Sequence, residues 1–340
     1  MVHHLINNLT NYSLLFSLSL IATVILTYIL ISRLSSFGVL DVPNQRRAHK
    51  NITPRGGGLA IVIVIIIAFY AFEYLVGKNL IQAFKIIPLL ILIAGISFLD
   101  DIKPLPIYIR LVTHLFCSGV AVYCYLYPFS LFHGELPLYI DTIFSIIGLT
   151  AFLNIYNFLD GIDGISSVES IHLSITMLVL CYLKHDIIMN INFIVIINII
   201  ILACSIGFLI FNWQPARIFL GDVGSISLGF LLGVCLLFIS ASSLHLFVAC
   251  IIAALYYITD GGLTILMRLI NKEKIWEPHL KHFFQKAVQN GKTHRQVVSR
   301  IAICNIALMV LSILSLSLPL ISTILAILVV MSTVISFSEG

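Results

Sequence analysis

Charged residues are scarce in this sequence. Of its 340 residues, 10% are Asp, Glu, Lys or Arg, whereas about 25% is usual in a soluble domain. Hydrophobic residues make up 60%, with a mean hydropathy of +1.08. This composition excludes a nucleic-acid-binding protein and a disordered chain. The seven cysteines form no Cys-x-x-Cys pair and lie in apolar stretches, which excludes a disulfide scaffold. A chain with this much apolar surface is expected to lie in a lipid bilayer.

The N-terminal residues also lack the features of a cleavable signal peptide. The first residues, MVHHLINNLTNYS, contain no Lys or Arg, and no Ala-x-Ala site follows the first apolar run, so a retained span is predicted. A helix needs about 20 apolar residues to cross a bilayer. Eleven such segments are predicted, the ninth interrupted at Asp260-Gly261-Gly262: 13–32, 58–76, 86–99, 108–127, 142–159, 170–187, 191–211, 226–240, 246–267, 301–316 and 318–336. The sequence therefore predicts one all-α, polytopic transmembrane domain over residues 1–340.

Lys and Arg are unevenly divided between the two sides of this domain. Sixteen of the 19 lie on the side that holds 33–55, 103–110, Arg217 and 268–300. The other three, Lys78, Lys85 and Lys184, lie opposite. Basic residues concentrate in cytoplasmic loops. A periplasmic N-terminus and a cytoplasmic C-terminus are therefore predicted, in a multi-pass protein of the inner membrane.

Acidic residues gather on the same side. Seven aspartates lie on or near that face: Asp41, Asp100, Asp101, Asp160, Asp163, Asp222 and Asp260. The positive-inside rule takes no account of acids, and a carboxylate at mid-bilayer costs about 2.5–3.5 kcal/mol. Acids placed where spans end therefore predict a cytoplasmic site, formed by the loops at about 33–57, 100–107, 160–169, 212–225 and 268–300.

Two of these loops begin at the ends of predicted spans. The adjacent carboxylates of Asp100 and Asp101 end the third span, and such a pair holds a proton, shares a cation or is simply a solvated helix end. The fifth span ends in Asn154-Ile-Tyr-Asn157-Phe-Leu-Asp160-Gly-Ile-Asp163-Gly164. If the helix breaks near Gly161, an amide, the two carboxylates and the two glycines line one concave loop suited to a metal and a polar ligand. An ordinary Asp/Gly turn is the alternative.

The eighth span opens with Gly221-Asp222-Val223-Gly224-Ser225. Glycines permit close approach to a phosphate, and a helix N-terminus offers free N–H donors. An aspartate there repels phosphate unless a divalent cation intervenes, so Asp222 is the leading candidate metal ligand. Oxygen ligands favour Mg²⁺ or Mn²⁺ over zinc. A capping Asp in a glycine turn is the alternative.

The first and last cytoplasmic loops carry cations and histidines. Arg46, Arg47 and Arg55, beside the 56–58 glycines, predict a phosphate-binding surface, although the positive-inside rule produces similar clusters. His279 and His282 lie three residues apart and share a face if the segment is helical. Solvated histidines are the alternative.

Taken together, these loops resemble the polyprenyl-phosphate N-acetylhexosamine-1-phosphate transferases. This membrane family includes the enzyme that makes the first lipid intermediate of peptidoglycan and those that start O-antigen. The shared pattern lies in family order over about 41–285 and consists of Asp41-x-Pro-Asn44-x-Arg46-x-x-His49, Pro54-x-Gly-Gly57, Leu99-Asp100-Asp101, Asn157-x-x-Asp160-Gly-x-Asp163-Gly164, Asn212-x-x-Pro-Ala-x-x-Phe-x-Gly-Asp222-x-Gly-Ser225, Asp260 and His282.

The resemblance implies transfer of N-acetylhexosamine-1-phosphate from a UDP-sugar to undecaprenyl phosphate, with release of UMP. The product would start a lipid-linked glycan, with O-antigen and hence lipopolysaccharide as the expected pathway. The expected partners are therefore the UDP-N-acetylhexosamine, undecaprenyl phosphate and the bilayer, and no nucleic acid. The family pattern is also compatible with a homodimer.

The resemblance also implies roles for individual residues. It assigns Asp222 and Asn157 as ligands of Mg²⁺ or Mn²⁺. It assigns Asp100 as the base acting on the lipid phosphate, with Asp101 beside it as a second catalytic carboxylate. Asp163 corresponds to a nucleoside contact. Further substrate contacts are expected at Asn44, Arg46, His49, Arg55, Asn154, Asp160, Arg217, His279 and His282.

One departure from the family pattern concerns the sugar. The UDP-GlcNAc branch usually carries His-x-His-His where this chain has His282-Phe283-Phe284-Gln285. The change resembles the branch that starts on N-acetylfucosamine or N-acetylquinovosamine. A 6-deoxy donor is therefore predicted over UDP-GlcNAc, on the argument that Phe284 tolerates a methyl group where a hydroxymethyl group needs a polar partner.

A secondary transporter is the rival class of function. Transporters place charge near the bilayer midplane, often between inverted repeats. Here the carboxylates collect at one face and no internal repeat is visible, which favours the enzyme.

Overall fold

The computed structural model describes residues 2–41, 52–77, 80–274 and 279–338, which are almost entirely helical. The helices are α1 Val2–Ser36, α2 Gly58–Phe72, α3 Ile81–Ile102, α4 Ile107–Tyr125, α5 Leu138–Phe158, α6 Ile165–Leu183, α7 Ile191–Asn212, α8 Gly221–Ser240, α9 Leu244–Ala253, α10 Leu255–Ile270, α11 Phe283–Gln289, α12 His294–Leu314 and α13 Pro319–Ser338. A π-helical turn, Glu73–Gly77, extends α2. Two short antiparallel strands, β1 Leu40–Asp41 and β2 Thr53–Pro54, lie between α1 and α2, with Leu40 opposite Pro54.

Ten of the described helices are long and apolar enough to cross a membrane, and the α9–α10 pair forms an eleventh candidate span. The prediction of an all-α polytopic protein is therefore confirmed. The ninth span is bent by 70°. Its break lies at Ala254 and not at the Asp260-Gly261-Gly262 stretch, which continues inside α10. At the break, the carbonyl oxygen of Ala253 lies 2.9 Å from His172 Nε2, which supplies a partner where the helix is interrupted.

Helix α8 forms the centre of the bundle. Nearly all of its side chains are buried, and it packs against α2, α3, α5 and α9. Close crossings depend on small residues: a Cβ added to Gly58 of α2 would lie 2.2 Å from the Cα of Gly224 in α8. In lipid, such backbone approaches stabilise helix pairs through dispersion contacts. The Gly58–Gly224 crossing also holds the beginnings of α2 and α8 side by side.

The helix ends that carry the predicted site residues meet at one face of the bundle. Helices α3, α5 and α7 end there, whereas α2, α4, α6, α8 and α12 begin there. This face therefore collects helix N-termini, with their free N–H groups, next to acidic helix C-termini.

The orientation of the bundle in the membrane stays a prediction, and cysteine labelling tests it. Residues 128–141 contain no Lys or Arg and 268–300 contain eight, so His294 and Ser338 are predicted to be cytoplasmic and Glu135 periplasmic. Glu135 and Ser338 are exposed, whereas His294 is buried and would label poorly. All seven native cysteines are free, so a cysteine-free background breaks no disulfide. An impermeant reagent applied to intact cells should label Glu135→Cys and spare Ser338→Cys, and the reverse pattern would invert the orientation.

Candidate active site

Backbone pairing brings Arg55 next to Asp222. The Phe219 N–H donates to the Pro54 carbonyl at 2.8 Å, and the Gly57 N–H donates back to the Phe219 carbonyl at 2.9 Å. This short ladder fastens the loop before α2 to the loop before α8. The Arg55 guanidinium then lies with Nη2 2.5 Å from Asp222 Oδ1 and Nε 2.8 Å from an oxygen of Asp101. Burial alone would lower the pKa of Arg55, but the Asp222 and Asp101 carboxylates raise it above its ordinary value, so the side chain stays charged.

Asp101 binds the N-terminus of α8. Its two carboxylate oxygens accept the backbone N–H groups of Asp222 at 2.9 Å and Val223 at 3.0 Å, and its side chain is fully buried. Gly221 makes this approach possible: its φ is +75°, and an added Cβ would lie 2.6 Å from Asp101 Oδ2. The structure thus gives Asp101 a capping role toward α8, which the adjacent Asp-Asp pair in the sequence does not indicate.

A second arginine, Arg110 at the beginning of α4, pairs with Asp100. Arg110 Nη1 lies 2.9 Å from Asp100 Oδ2 and 3.7 Å from Asp222 Oδ2. The other oxygen of Asp100 accepts the Leu105 N–H at 2.6 Å. Both Asp100 oxygens are therefore engaged by protein donors. Sequence reasoning missed Arg110, although an arginine inside an apolar span near its end is a signal of function.

Two cavities open beside this charged cluster. The polar cavity, about 370 Å³, is lined by Asp41, Arg55, Asn157, Asp160, Gly161, Ile162, Asp163, Asn212, Phe219, Leu220, Gly221, Asp222, His279, Leu280, Gln285 and His294. The apolar cavity, about 470 Å³, is lined by Ser97, Ile107, Arg110, Leu111, His114, Leu115, Ile147, Thr150, Ala151, Asn154, Asn157, Phe158, Asp222, Ile226 and Ile265. Asn157 and Asp222 line both cavities, and they therefore mark the boundary between them.

The loop between α5 and α6 supplies one wall of the polar cavity. As predicted, the helix ends near Gly161, at Phe158, and the chain turns back through Gly164 at φ +82°. Asn212 ties this turn to the next loop: its Oδ1 accepts the Gly164 N–H and its Nδ2 donates to the Ile218 carbonyl, both at 2.9 Å. The turn predicted near Gly161 is therefore present, and Asn157, Asp160 and Asp163 line the polar cavity beside it.

Asp163 is held from two sides in this wall. One carboxylate oxygen accepts the Ala216 N–H at 3.1 Å, and the other lies 3.2 Å from Nδ1 of His294, the first residue of α12. The buried Asp163–His294 pair joins α12 to the cavity. Sequence reasoning did not include His294 among the site residues, because its partner lies 131 residues away.

Asp160 faces the same cavity in a different setting. Burial raises the pKa of its carboxyl to about 7, although the Ser166 hydroxyl, which donates to Oδ1 at 2.7 Å, acts in the opposite direction. The Asp222 charge raises it further. Asp160 therefore titrates near neutral pH, so that it presents less fixed negative charge to an anionic ligand.

The last loop is positioned through a buried aspartate of α10. Asp260 accepts the backbone N–H groups of Phe283 at 3.0 Å and Phe284 at 3.2 Å, and its Oδ1 lies 3.1 Å from His282 Nδ1. These bonds set the beginning of α11. His282 is itself buried and does not line the polar cavity.

His279 and Gln285 are the polar residues of this loop that do line the polar cavity. Burial lowers the pKa of the His279 ring to about 4, with His282 next in effect, so His279 is neutral at pH 7. Gln285 Oε1 accepts the His282 N–H at 3.2 Å. Phe284 is fully buried, and a Cβ on Gly161 would lie 2.9 Å from its ring, so it packs under the cavity wall without lining it.

The remaining predicted residues lie elsewhere. Asn154 lines the apolar cavity, with Oδ1 3.2 Å from His114 Nδ1. Arg217 is exposed, its guanidinium lies 5.4 Å from the Phe211 ring, and it is not among the residues that line the polar cavity. Asn44, Arg46 and His49 fall outside the described residues.

The oxygen ligands at the boundary of the cavities suit a hard divalent cation. Asp222 offers a carboxylate that is 14% exposed, and Asn157 offers an amide oxygen that also accepts the Ser225 hydroxyl at 2.6 Å. Within the described ranges, no three His, Cys, Asp or Glu side chains are arranged to hold a metal ion. Mg²⁺ commonly takes one or two protein oxygens and completes its shell with water and phosphate. The residues present therefore fit Mg²⁺ or Mn²⁺.

Comparison with known proteins places the same residues in one family. The family model described as Glycosyl transferase family 4 matches residues 83–240, which include Asp100, Asp101, Asn157 and Asp222. The chain is 29% identical to the "Probable undecaprenyl-phosphate N-acetylglucosaminyl 1-phosphate transferase" of Bacillus subtilis (strain 168) over 293 residues, which cover 83% of this chain and 79% of that protein.

Several relatives carry the name phospho-N-acetylmuramoyl-pentapeptide-transferase, among them proteins of Streptococcus agalactiae and Buchnera aphidicola. The protein of Streptococcus agalactiae serotype Ia is 27% identical over 246 residues, covering 63% of this chain and 71% of its own length. The protein of Buchnera aphidicola subsp. Baizongia pistaciae is 26% identical over 307 residues, covering 79% and 86%. These matches support the family that the sequence pattern predicts, the polyprenyl-phosphate N-acetylhexosamine-1-phosphate transferases.

Proposed function

We propose that this protein transfers N-acetylhexosamine-1-phosphate from a UDP-sugar to undecaprenyl phosphate and releases UMP. One observation carries the proposal: a polar and an apolar cavity meet at Asn157 and Asp222. A water-soluble nucleotide and a lipid phosphate need such different surroundings, and their phosphates must meet for the reaction. The name of the Bacillus subtilis relative supports the lipid acceptor and the transferred sugar 1-phosphate.

The apolar cavity suits the lipid phosphate. Its wall is formed by aliphatic side chains of α4, α5 and α8, and Arg110 and Asp222 lie among the lining residues at its charged end. A guanidinium pairs well with a phosphate, and it does so more strongly in a partly buried site than in water. We assign Arg110 to the lipid phosphate, with the polyprenyl chain along the aliphatic wall.

The polar cavity suits the nucleotide diphosphate. Arg55 supplies a cation next to Asp222. Asp163, Asn212 and His294 contribute further polar groups to the lining. Asp163 is the carboxylate for which the resemblance implies a nucleoside contact. In this arrangement the nucleoside lies toward the α5–α6 turn, and the diphosphate lies toward the beginning of α8.

Asp222 and Asn157 would hold the Mg²⁺ or Mn²⁺ ion, which neutralises charge on the diphosphate when it is bound. The residues of this site align the lipid phosphate with the donor diphosphate for in-line attack. Arg110 directs a lipid phosphate oxygen at the β-phosphorus of the donor; the new O–P bond forms as the bond to the α-phosphate oxygen breaks and UMP leaves. Orientation and charge stabilisation are the main contributions to phosphoryl transfer.

We propose that Asp100 acts through Arg110 in this reaction. A phosphate monoester has a second pKa of about 6 and is already largely dianionic near neutral pH, so the attacking oxygen needs little help from a base. Both Asp100 oxygens are bound to protein donors, and Asp100 is absent from the linings of both cavities. The Asp100 carboxylate holds the Arg110 guanidinium in place. We therefore propose a positioning role for Asp100 where the resemblance implies a base.

The product would begin a lipid-linked glycan on the cytoplasmic side of the inner membrane, with O-antigen as the pathway expected from the sequence. The sugar has two candidates. The missing histidines favour a 6-deoxy-N-acetylhexosamine, but Phe284, the physical reason for that preference, lies under the cavity wall. The Bacillus subtilis relative is named for N-acetylglucosamine, which favours UDP-GlcNAc. The preference for a 6-deoxy donor stays a prediction from the sequence pattern.

A donor panel tests the proposal. Purified protein in detergent with undecaprenyl phosphate and Mg²⁺ should release UMP from at least one of UDP-GlcNAc, UDP-N-acetylfucosamine and UDP-N-acetylquinovosamine. Mass spectrometry should show the matching lipid diphosphate sugar. A transporter would release no UMP from any donor, and higher kcat/KM with UDP-GlcNAc would refute the 6-deoxy prediction.

The same assay separates direct transfer from a covalent aspartyl-phosphate route. With undecaprenyl phosphate omitted, labelled UMP should not exchange into the UDP-sugar, because direct attack needs both substrates. Exchange in lipid-free enzyme would show a covalent intermediate and refute direct attack.

A further inference from the structure

Arg55 occupies the position that a cation on Asp222 would need. Its Nη2 lies 2.5 Å from Asp222 Oδ1, whereas Arg110 Nη1 lies 3.7 Å from Oδ2. A guanidinium in direct contact with a carboxylate neutralises it. A divalent cation on the same carboxylate would lie a few ångströms from Arg55, and like charges at that separation repel strongly in a partly buried site. Arg55 and the cation therefore compete for Asp222.

The two ends of the Arg55 guanidinium are held differently. Nε lies 2.8 Å from Asp101, which is fully buried and tied to the backbone of α8 by two further hydrogen bonds. Nη2 is bound to Asp222, which lines both cavities. If a cation takes Asp222, Arg55 can keep its Nε contact with Asp101 while Nη2 of the same planar guanidinium loses its partner. Since Arg55 lines the polar cavity, the freed donors face an anion bound there.

We propose that Arg55 couples the divalent cation to the anionic ligand by exchanging partners. Without the cation, Arg55 neutralises Asp222; when the cation binds Asp222, Arg55 passes to a phosphate of the ligand. The competition at Asp222 follows from the contacts alone, whereas the identity of the anion as a nucleotide diphosphate rests on the proposed function. Arg55 in this sense exchanges its Asp222 contact for a contact with the anion, while its Nε stays on Asp101.

The exchange has a thermodynamic consequence. Binding of the cation makes Arg55 available to the anion, so each ligand should raise the affinity of the other, and by the same factor. Removing the Arg55 charge should have opposite effects on the two partners. The cation alone should bind more tightly because its competitor is gone, but the anion should then raise the cation affinity less than it does in the wild type. A residue that only supports the fold would lower both affinities.

Direct Mn²⁺ binding, measured from the EPR signal of the free ion, tests this with UDP as the anion, after subtraction of the Mn²⁺ that UDP binds in protein-free buffer. Wild-type protein should bind Mn²⁺ more tightly when UDP is present, by about tenfold, a coupling of ordinary size. Arg55→Gln should bind Mn²⁺ alone about tenfold more tightly than wild type and gain clearly less from UDP, because only the direct attraction between the ion and the diphosphate remains. Arg55→Lys, which keeps the charge, should bind Mn²⁺ alone as wild type does. Asp222→Asn should bind no Mn²⁺ at the site and provides the baseline.

Arg110→Gln is the matched control. It removes an arginine from the same cluster, but one that lies farther from Asp222, so the Mn²⁺ affinity should change less and the response to UDP should remain. The proposal is overturned if folded Arg55→Gln binds Mn²⁺ no more tightly than wild type. It is equally overturned if wild-type protein shows no coupling between Mn²⁺ and UDP, a result that needs no variant to fold. Melting temperatures identify variants that do not fold.

Failure of the transferase would look different. Tighter Mn²⁺ binding by Arg55→Gln, combined with no UMP release by wild type from any UDP-sugar, would refute the proposed function and keep the exchange at Asp222. Robust transfer by wild type with unchanged Mn²⁺ affinity in Arg55→Gln would refute only the exchange.

Discussion

Replacing Asp222 by asparagine should lower turnover by several orders of magnitude while the protein stays folded. Of the two described residues that line both cavities, Asn157 and Asp222, Asp222 carries the charge, and its carboxylate also meets Arg55 and Arg110. Losing a ligand removes charge stabilisation of the diphosphate worth several kcal/mol, and each 1.36 kcal/mol corresponds to a factor of ten in rate. UMP release at saturating substrates and Mg²⁺ measures the loss.

Asp186→Asn provides the control for Asp222→Asn. It makes the same chemical change at a side chain that is 74% exposed and contacts His185. Asp186 lines neither cavity. This variant should turn over at the wild-type rate. Near-normal Mg²⁺-dependent turnover in Asp222→Asn, with an unchanged melting temperature, would remove Asp222 from the site.

Asp101→Ala should give the largest loss of stability in this region. The substitution leaves two N–H groups of α8 without their acceptor and leaves Arg55 without its buried partner. Breaking a buried ion pair costs about 3–5 kcal/mol. Because Arg55 is 28% exposed, we expect roughly half of that, about 2 kcal/mol, together with about 1 kcal/mol for the lost cap. Thermal unfolding in detergent should show a clearly lower melting temperature.

Ser243→Ala isolates the cost of an ordinary helix cap. The Ser243 hydroxyl accepts the Leu246 N–H at 3.2 Å at the beginning of α9, with no ion pair involved. Its removal should lower the melting temperature less than Asp101→Ala does, and Asp101→Asn, which keeps one acceptor oxygen, should lie between them. Equal melting temperatures for Asp101→Ala and wild type would show that Asp101 does not stabilise α8.

The spans were predictable because hydropathy is a property of each segment by itself. The differences lie at polar helix ends. The apolar run of the third predicted span is 86–99, and α3 continues through Asp100 and Asp101, which were predicted at its end, to Ile102. The apolar run of the eighth is 226–240, and α8 already begins at Gly221, in the glycine-rich stretch that was predicted to open the span. Both helices extend because Asp101 and the first turn of α8 satisfy each other's polar groups, a pairing that hydropathy does not include.

The candidate site was predictable as a set of loops but not as a set of contacts. Charge placement indicated that the acidic loops share one face, and the described loops do meet there. Arg110 and His294 lie in that site without having been predicted, and Arg217 was predicted but lies outside the lining. The three residues have the same local character in the sequence, a cation or histidine beside an apolar helix. Only their partners distinguish them.

By itself, the sequence determined that this chain crosses a membrane in about eleven helical spans with its acidic loops on one side. Those properties follow from the free-energy cost of placing polar groups in lipid, and that cost depends on the composition of each segment by itself. Only the tertiary structure decided which aspartate caps a helix, which positions an arginine and which faces a cavity. Asp101 and Asp222, for example, differ because the N–H groups that Asp101 accepts come from a helix 121 residues further along the chain. The donors that surround a carboxylate decide its role, and packing of distant helices supplies those donors.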